Sequence, residues 1–113
     1  KLIIGTKTFI EAHSEGIPLE PIEFRLSQNY PNPFNPDTYI EFSIPKKSLV
    51  KIVVYNALGQ RVKTLIEEIR KAGYHQVLWD GKDTRGLSVS SGVYMYRIEA
   101  NGNVDSKKMV LIK

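Results

Sequence analysis

From Phe24 onward, apolar and polar residues alternate in short runs. Ile40, Phe42 and Ile44 alternate with Tyr39, Glu41 and Ser43, the period of two that turns one strand face toward a core. Val50, Ile52 and Val54 alternate in the same way with Lys51, Val53 and Tyr55. Tyr74–Trp79 is rich in aromatic and β-branched types that suit a pleated surface. Val93–Ala100, Lys107–Ile112, a shorter Arg61–Ile66 and a stretch at Phe24–Ser27 complete a set of about seven strands. Short strands at this spacing predict an all-β antiparallel sandwich, in which two sheets bury their apolar faces against each other. Ile40, Phe42, Ile52, Val54, Val77, Trp79, Tyr96, Ile98 and Leu111 are the expected core.

The breaks between runs agree. Asn56-Ala57-Leu58-Gly59 closes one strand with a residue that tolerates positive φ. Asn101-Gly102 separates the last two strands, and Asn-Gly favours the type I′ turn that matches hairpin twist. Thr64–Ala72 carries helix formers, Glu67, Glu68, Arg70 and Lys71, without an apolar face. It reads as a charged connection between strands.

All six prolines fall in the first 45 residues, so the later strands are free to be interior ones. Three of them sit in Tyr30–Pro36, interleaved with Asn32 and Asn35. Fixed φ angles and the bias on each pre-proline residue predict a rigid, extended loop, with Tyr30 and Phe34 as packing anchors. The same stiffness would suit a docking surface.

Residues 1–23 differ from the rest. Leu2–Ile4 and Thr8–Ile10 read as short strands, and Ala12–Pro21 as an acidic linker punctuated by Pro and Gly. Residues 1–23 are either the end of an upstream domain with a linker, or an extra strand of the same domain. Residues 24–113 form the main domain.

Charge follows that division. Net charge is +4 overall, with −2 in residues 1–23 and +6 in residues 24–113. The basic residues are scattered and form no stripe, which argues against nucleic acid. No apolar run reaches the roughly 20 residues of a membrane helix, so no membrane-spanning segment is expected. The chain begins at Lys1 without the basic and apolar regions of a signal peptide, as a C-terminal piece of a longer precursor would. With no cysteine, disulfides and Cys-ligated metal sites are excluded.

Catalytic chemistry finds few candidates. There is no Cys nucleophile and no G-x-S-x-G elbow. His75 falls in a strand and His13 in the linker, with no metal-ligand spacing between them. Glu67 and Glu68 are neighbours, which point apart in extended backbone. Asp80 and Asp83 flank a tight Gly-containing loop that could hold Ca²⁺, but two carboxylates beside Lys82 and Arg85 suit turn-making better. No catalytic residue, metal or cofactor is expected. Tyr94 and Tyr96 share a strand face and could serve as a carbohydrate platform or as core.

Several blocks together resemble a known family. The run Leu26-Ser27-Gln28-Asn29-Tyr30-Pro31-Asn32-Pro33-Phe34-Asn35-Pro36-Asp37-Thr38 resembles the opening signature of type A C-terminal sorting domains of the bacterial type IX (Por) secretion system. Val54–Val62, Gly73-Tyr74-His75 leading to Trp79-Asp80-Gly81, Asp83 with Gly86, and Ser91–Ile98 follow in the family's order. Ser106–Lys113 resembles its terminal signature. The same body is similar to the immunoglobulin-like domain of flagellar hook-capping proteins. The likeness covers about residues 24–113, with one departure at Leu78, where the family pattern is polar.

The resemblance implies an immunoglobulin-like sandwich and a non-catalytic role. Such a domain sits behind an upstream cargo domain of the same precursor. It directs that cargo, by way of the periplasm, to the cell surface or the medium. The implied partners are the outer-membrane machinery of the type IX system and its sortase. The implied recognition residues are Gly92, Tyr94, Lys107, Lys108, Met109, Val110, Leu111, Ile112 and Lys113. A receptor could pair with the backbone edge of that last strand. The alternatives are a scaffold or interaction module, and a carbohydrate-binding accessory domain of a secreted hydrolase.

Overall fold

The computed structural model describes residues 23–113. The short strands expected at Leu2–Ile4 and Thr8–Ile10, the linker and His13 lie outside the described residues. Seven strands follow in order: β1 (Arg25–Leu26), β2 (Thr38–Ile44), β3 (Ser48–Asn56), β4 (Arg61–Arg70), β5 (Gly73–Trp79), β6 (Gly92–Ala100) and β7 (Asn103–Leu111). They form two antiparallel sheets, β1-β2-β5 and β4-β3-β6-β7. The expected all-β immunoglobulin-like sandwich of seven strands is what the chain builds.

The inner faces follow the period of two. Thr38, Ile40, Phe42 and Ile44 of β2 face Val50, Ile52 and Val54 of β3 and Tyr96 and Ile98 of β6 across the core. Trp79 is fully buried at the end of β5. Its ring meets Phe34 at 5.6 Å and the edge of Tyr94 at 5.4 Å, inside the range in which aromatic pairs add to simple burial. The β6–β7 hairpin turns at Asn101 and Gly102, with φ of 52° and 83°, the pair of positive values a type I′ turn needs.

Four expectations are corrected. First, Thr64–Ala72 is no connection: β4 runs on through Arg70. Beyond Ile66 its register is regular, but Glu67, Glu68 and Ile69 are all exposed, as an edge strand allows, and that hides the strand from a period-two reading. Second, β7 begins at Asn103, earlier than the expected Lys107, because its polar first half lies on the sheet rim. Third, the Tyr30–Pro36 run bends and does not run extended. Tyr30 is 77% exposed, since its backbone exchanges both hydrogen bonds with Tyr39 and puts both side chains on the outer face. The inward places are taken by Leu26, Asn29 and Phe34. Fourth, Val77 is only partly buried, because β5 is the edge of its sheet. Leu78 faces out beside Tyr39, so the departure from the family pattern falls on the solvent side.

Trp79→Ala should lower stability by about 3–5 kcal/mol, the usual cost of emptying a core site of this size. Urea unfolding of the two proteins measures it, and a near-neutral result would contradict the buried placement.

Candidate recognition surface

The proposed recognition residues lie on β7 and the start of β6, at one rim of the four-stranded sheet. Alternation divides them. Met109 and Leu111 point inward and are fully buried. Tyr94 is also a core residue, its hydroxyl donating to Ser90 O at 2.6 Å. Gly92 pairs with Leu111 in the ladder. These four hold the sheet together, and the side chains of Met109, Leu111 and Tyr94 are not available to a partner. Lys108 and Ile112 are exposed, and Val110 is half-buried on the outer face. Lys107 is half-buried and opposite Tyr96, so the two lysines occupy opposite faces. Lys113 is exposed, with its N–H on Ser91 Oγ at 3.0 Å.

The edge of β7 is not open where the terminal signature lies. Phe34 N–H donates to Val110 O at 2.9 Å and Ile112 N–H donates to Phe34 O at 3.0 Å. The Asn32 side-chain oxygen takes the Val110 N–H at 3.0 Å. Gln28 Nε2 donates to Lys108 O at 2.7 Å. The opening signature thus occupies the outward backbone groups from Lys108 O to Ile112 N. Pairing of a receptor strand with this stretch, expected above, is blocked by the chain itself. The segment that does so is pinned in turn. Asn29, 2% exposed, donates to Thr38 Oγ1 at 2.9 Å and to Pro31 O at 3.2 Å, and Thr38 Oγ1 donates to the same carbonyl at 2.9 Å. Sequence reasoning gave Asn29 no buried role. The Asn/Pro interleaving was the signal, but it does not say which distant strand receives it.

The Trp79-Asp80-Gly81 block makes a clasp of the next loop. The indole N–H donates to Lys82 O at 2.9 Å. Gly81 has φ +75°, and a Cβ there would come within 3.1 Å of Pro36 O, so the loop packs directly on the proline run. Asp80 Oδ1 accepts Lys82 N–H at 3.1 Å. Asp83 Oδ1 accepts the Arg85 and Leu87 N–H groups at 2.9 and 3.1 Å, and its Oδ2 pairs with the Arg85 guanidinium at 2.9 Å. That guanidinium, aided by the backbone bonds, holds the Asp83 carboxyl below the usual carboxylate range. Both carboxylates are spent on turns. Among the described residues, no cluster of His, Asp and Glu is arranged to hold a metal ion.

His75 stacks on Phe42 at 5.2 Å. Its Nε2 is 2.8 Å from Lys71 O and its Nδ1 faces Arg70 at 3.4 Å. A carbonyl beside Nε2 and a guanidinium beside Nδ1 commit both ring nitrogens to the protein itself. Glu67 and Glu68 are exposed on the edge strand. An open cleft of about 670 Å³ lies beside the clasp, lined by Asn56, Gln60, Arg61, Asp83, Arg85 and Tyr94 among others. Its carboxylate is already paired, and it contains no Ser–His or Cys–His arrangement.

The architecture defines the class: an immunoglobulin-like β-sandwich whose conspicuous motifs are built into its own closure. The family follows from comparison. The model of the FlgD Ig-like domain matches residues 34–103, and the chain belongs to that family. Comparison with curated proteins gives no match. Among solved structures, PorU of Porphyromonas gingivalis is similar over 75% of this chain and 9% of its own, with 20% identity and a TM-score of 0.64. PorZ of the same organism, described as an essential bacterial surface component of the type IX secretion system, is similar over 80% of this chain and 11% of its own, with 17% identity and a TM-score of 0.53. FlgD from P. aeruginosa is similar over 66% of this chain and 58% of its own, at 23% identity and a TM-score of 0.50. The chain therefore spans about a tenth of the two P. gingivalis proteins, and these likenesses show the fold.

Tyr96 ties the opening run, at Ser27, to the core. Its hydroxyl donates to Ser27 O at 2.6 Å, and burial pushes its pKa up to about 12. A phenol whose folded pKa lies above its ordinary value near 10 holds its proton longer folded than unfolded. Its stabilising contribution is whole below about pH 10 and is lost as pH rises toward about 12. Tyr96→Phe should cost roughly 1–3 kcal/mol at neutral pH by orphaning that carbonyl. It should also flatten the loss of stability over the alkaline window, which denaturant unfolding at a series of pH values measures.

Proposed function

We propose that the chain is a non-catalytic sorting and anchoring module, which takes a larger cargo protein through the outer membrane by a type IX secretion system. The observation that carries this reading is the physical joining of the two end signatures. The opening run and the terminal strand, about eighty residues apart, form one hydrogen-bonded unit through Phe34, Val110 and Ile112. An address at the chain's last strand then exists only in the folded domain. The fold likeness to PorU and PorZ supports the same setting. On this reading the cargo lies upstream in the same precursor. The partners are the outer-membrane machinery and its sortase, and the destination is the cell surface or the medium by way of the periplasm.

Membership of the FlgD Ig-like domain family favours a second reading, an interaction module of a larger scaffold. The carbohydrate-platform reading loses its motive, because Tyr94 and Tyr96 are core residues.

The test fuses the whole chain behind a reporter that carries a signal peptide, in a bacterium with a type IX system. The reporter should reach the cell surface or medium, and deletion of Lys107–Lys113 should hold it in the periplasm. That deletion also removes Met109 and Leu111 from the core, so a subtler variant is needed. Lys107→Ala/Lys108→Ala removes charge from one exposed and one half-buried site. It should stay folded, because substitutions away from the core usually change stability by about 0.5 kcal/mol or less. A folded but retained double variant supports recognition of the basic strand. A full-length fusion that folds and stays in the periplasm overturns sorting in favour of the scaffold reading.

A further inference from the structure

The covered edge of β7 leaves a partner the side-chain face of the sheet, and the register shows what that face offers. Arg61, Tyr55, Met95 and Lys108 follow one another across β4, β3, β6 and β7 as successive ladder partners. The next outward row toward the chain end is Val93 opposite Val110. Ile112 continues the outward parity of β7 and is 53% exposed, beside Val93 at 47% and Met95 at 37%. Tyr55 and Val110 are half-buried between them. The result is a contiguous apolar strip from β3, β6 and the end of β7 at one end of the face, bordered by Arg61, Lys108 and Lys113. No carboxylate side chain stands in these rows.

Charge on the rest of the face is compensated. Lys51 lies between Glu67 and Glu99 in the ladder, and Arg97 pairs with Glu99 at 3.2 Å. Among the described residues, Arg61, Lys108 and Lys113 take part in no ion pair. On this outer face, the cations outside the Lys51 and Arg97 groups thus border the apolar strip. An exposed apolar patch with a charged rim is the anatomy of a protein contact, and the sign of the rim sets the sign of the partner.

The geometry points to a composite docking face made of Tyr55, Val93, Met95, Val110 and Ile112 inside the rim of Arg61, Lys108 and Lys113, for a protein partner that presents an apolar surface bordered by carboxylates. This rests on the sorting reading and deepens it: recognition requires residues of β3, β4 and β6 as well as the last strand. Tyr55 and Val110 are already half-buried in the sheet, which leaves little apolar reach into a bilayer and favours a protein over an anionic membrane.

The test uses the same full-chain reporter fusion with Met95→Glu, and Val93→Glu as a second variant. Lys108→Glu probes the rim, and Tyr39→Glu, on the outer face of the other sheet, is the control. All four positions are exposed, so melting temperatures should stay within about 4 °C of the parent, the shift expected for roughly 1 kcal/mol in a domain of this size. The expected result is export reduced about tenfold or more by Met95→Glu, Val93→Glu and Lys108→Glu, with Tyr39→Glu exported like the parent. Folded Met95→Glu and Val93→Glu variants exported at the parental rate overturn the docking face and leave sorting intact. A folded parent that is not exported overturns both. Sedimentation of the purified chain and flotation with vesicles of phosphatidylcholine and phosphatidylglycerol complete the test. A dimer broken by Met95→Glu, or vesicle binding lost on that change, would assign the strip to self-association or to a membrane and overturn the proposal.

Discussion

The closure of β7 by the segment from Gln28 to Phe34 is the constraint on which the rest of the molecule depends. A strand at the rim of a sheet carries a row of unpaired N–H and C=O groups, and such a row invites pairing with any other chain. Here the chain meets the need from its own first forty residues. Phe34 supplies two backbone hydrogen bonds, Asn32 one side-chain bond and Gln28 another. The side chain of Phe34 then continues inward to Trp79. One residue therefore closes the sheet edge with its backbone and caps the core with its ring.

Other features serve that contact. Gly81 lets the clasp loop lie against Pro36, where a side chain would press on the carbonyl. Trp79 fills the core beneath and fixes the same loop through Lys82 O. Buried Asn29 ties Thr38 to Pro31 and sets where the run bends. These polar groups are all satisfied: among the described residues, no buried side-chain N or O lacks a partner, as a well-packed interior requires. The signature residues most suggestive of a binding motif are for the most part structural, and function must be sought on what they leave outside.

Strands with one buried face and regular pairing were legible in the sequence. β2, β3 and β6 show clean alternation, and Asn101-Gly102 dictated its own turn. β4 was not legible past Ile66, because Glu67, Glu68 and Ile69 are exposed in succession and its edge position removes the need for an apolar face there. The polar start of β7 was hidden for a similar reason. Tyr30 was misjudged because aromatic type favours burial on average, whereas its pairing with Tyr39 fixes the outward face. At the candidate surface, the residue types on β7 could be named from sequence, but not their sides. Lys107 and Lys108 are neighbours in sequence and opposites in space. Tyr55, Met95 and Lys108 are distant in sequence and adjacent in the ladder.

On the sorting reading proposed above, the module has to recognise one partner while ignoring its neighbour on the same chain. Backbone edges are poor tools for this, since main-chain hydrogen bonding is alike in every strand. Side-chain faces discriminate by shape and charge. The four-stranded sheet withdraws its edges: β7 is clamped over its terminal half, and β4 carries bulges and charges that discourage pairing. What remains distinctive is the outer face of the four-stranded sheet, balanced in charge along most of its length and basic around an apolar end. The clamp and the face are thus two sides of one arrangement. Holding Val110 and Ile112 by their backbones fixes the direction of their side chains, so the device that closes the edge also orients that outer face.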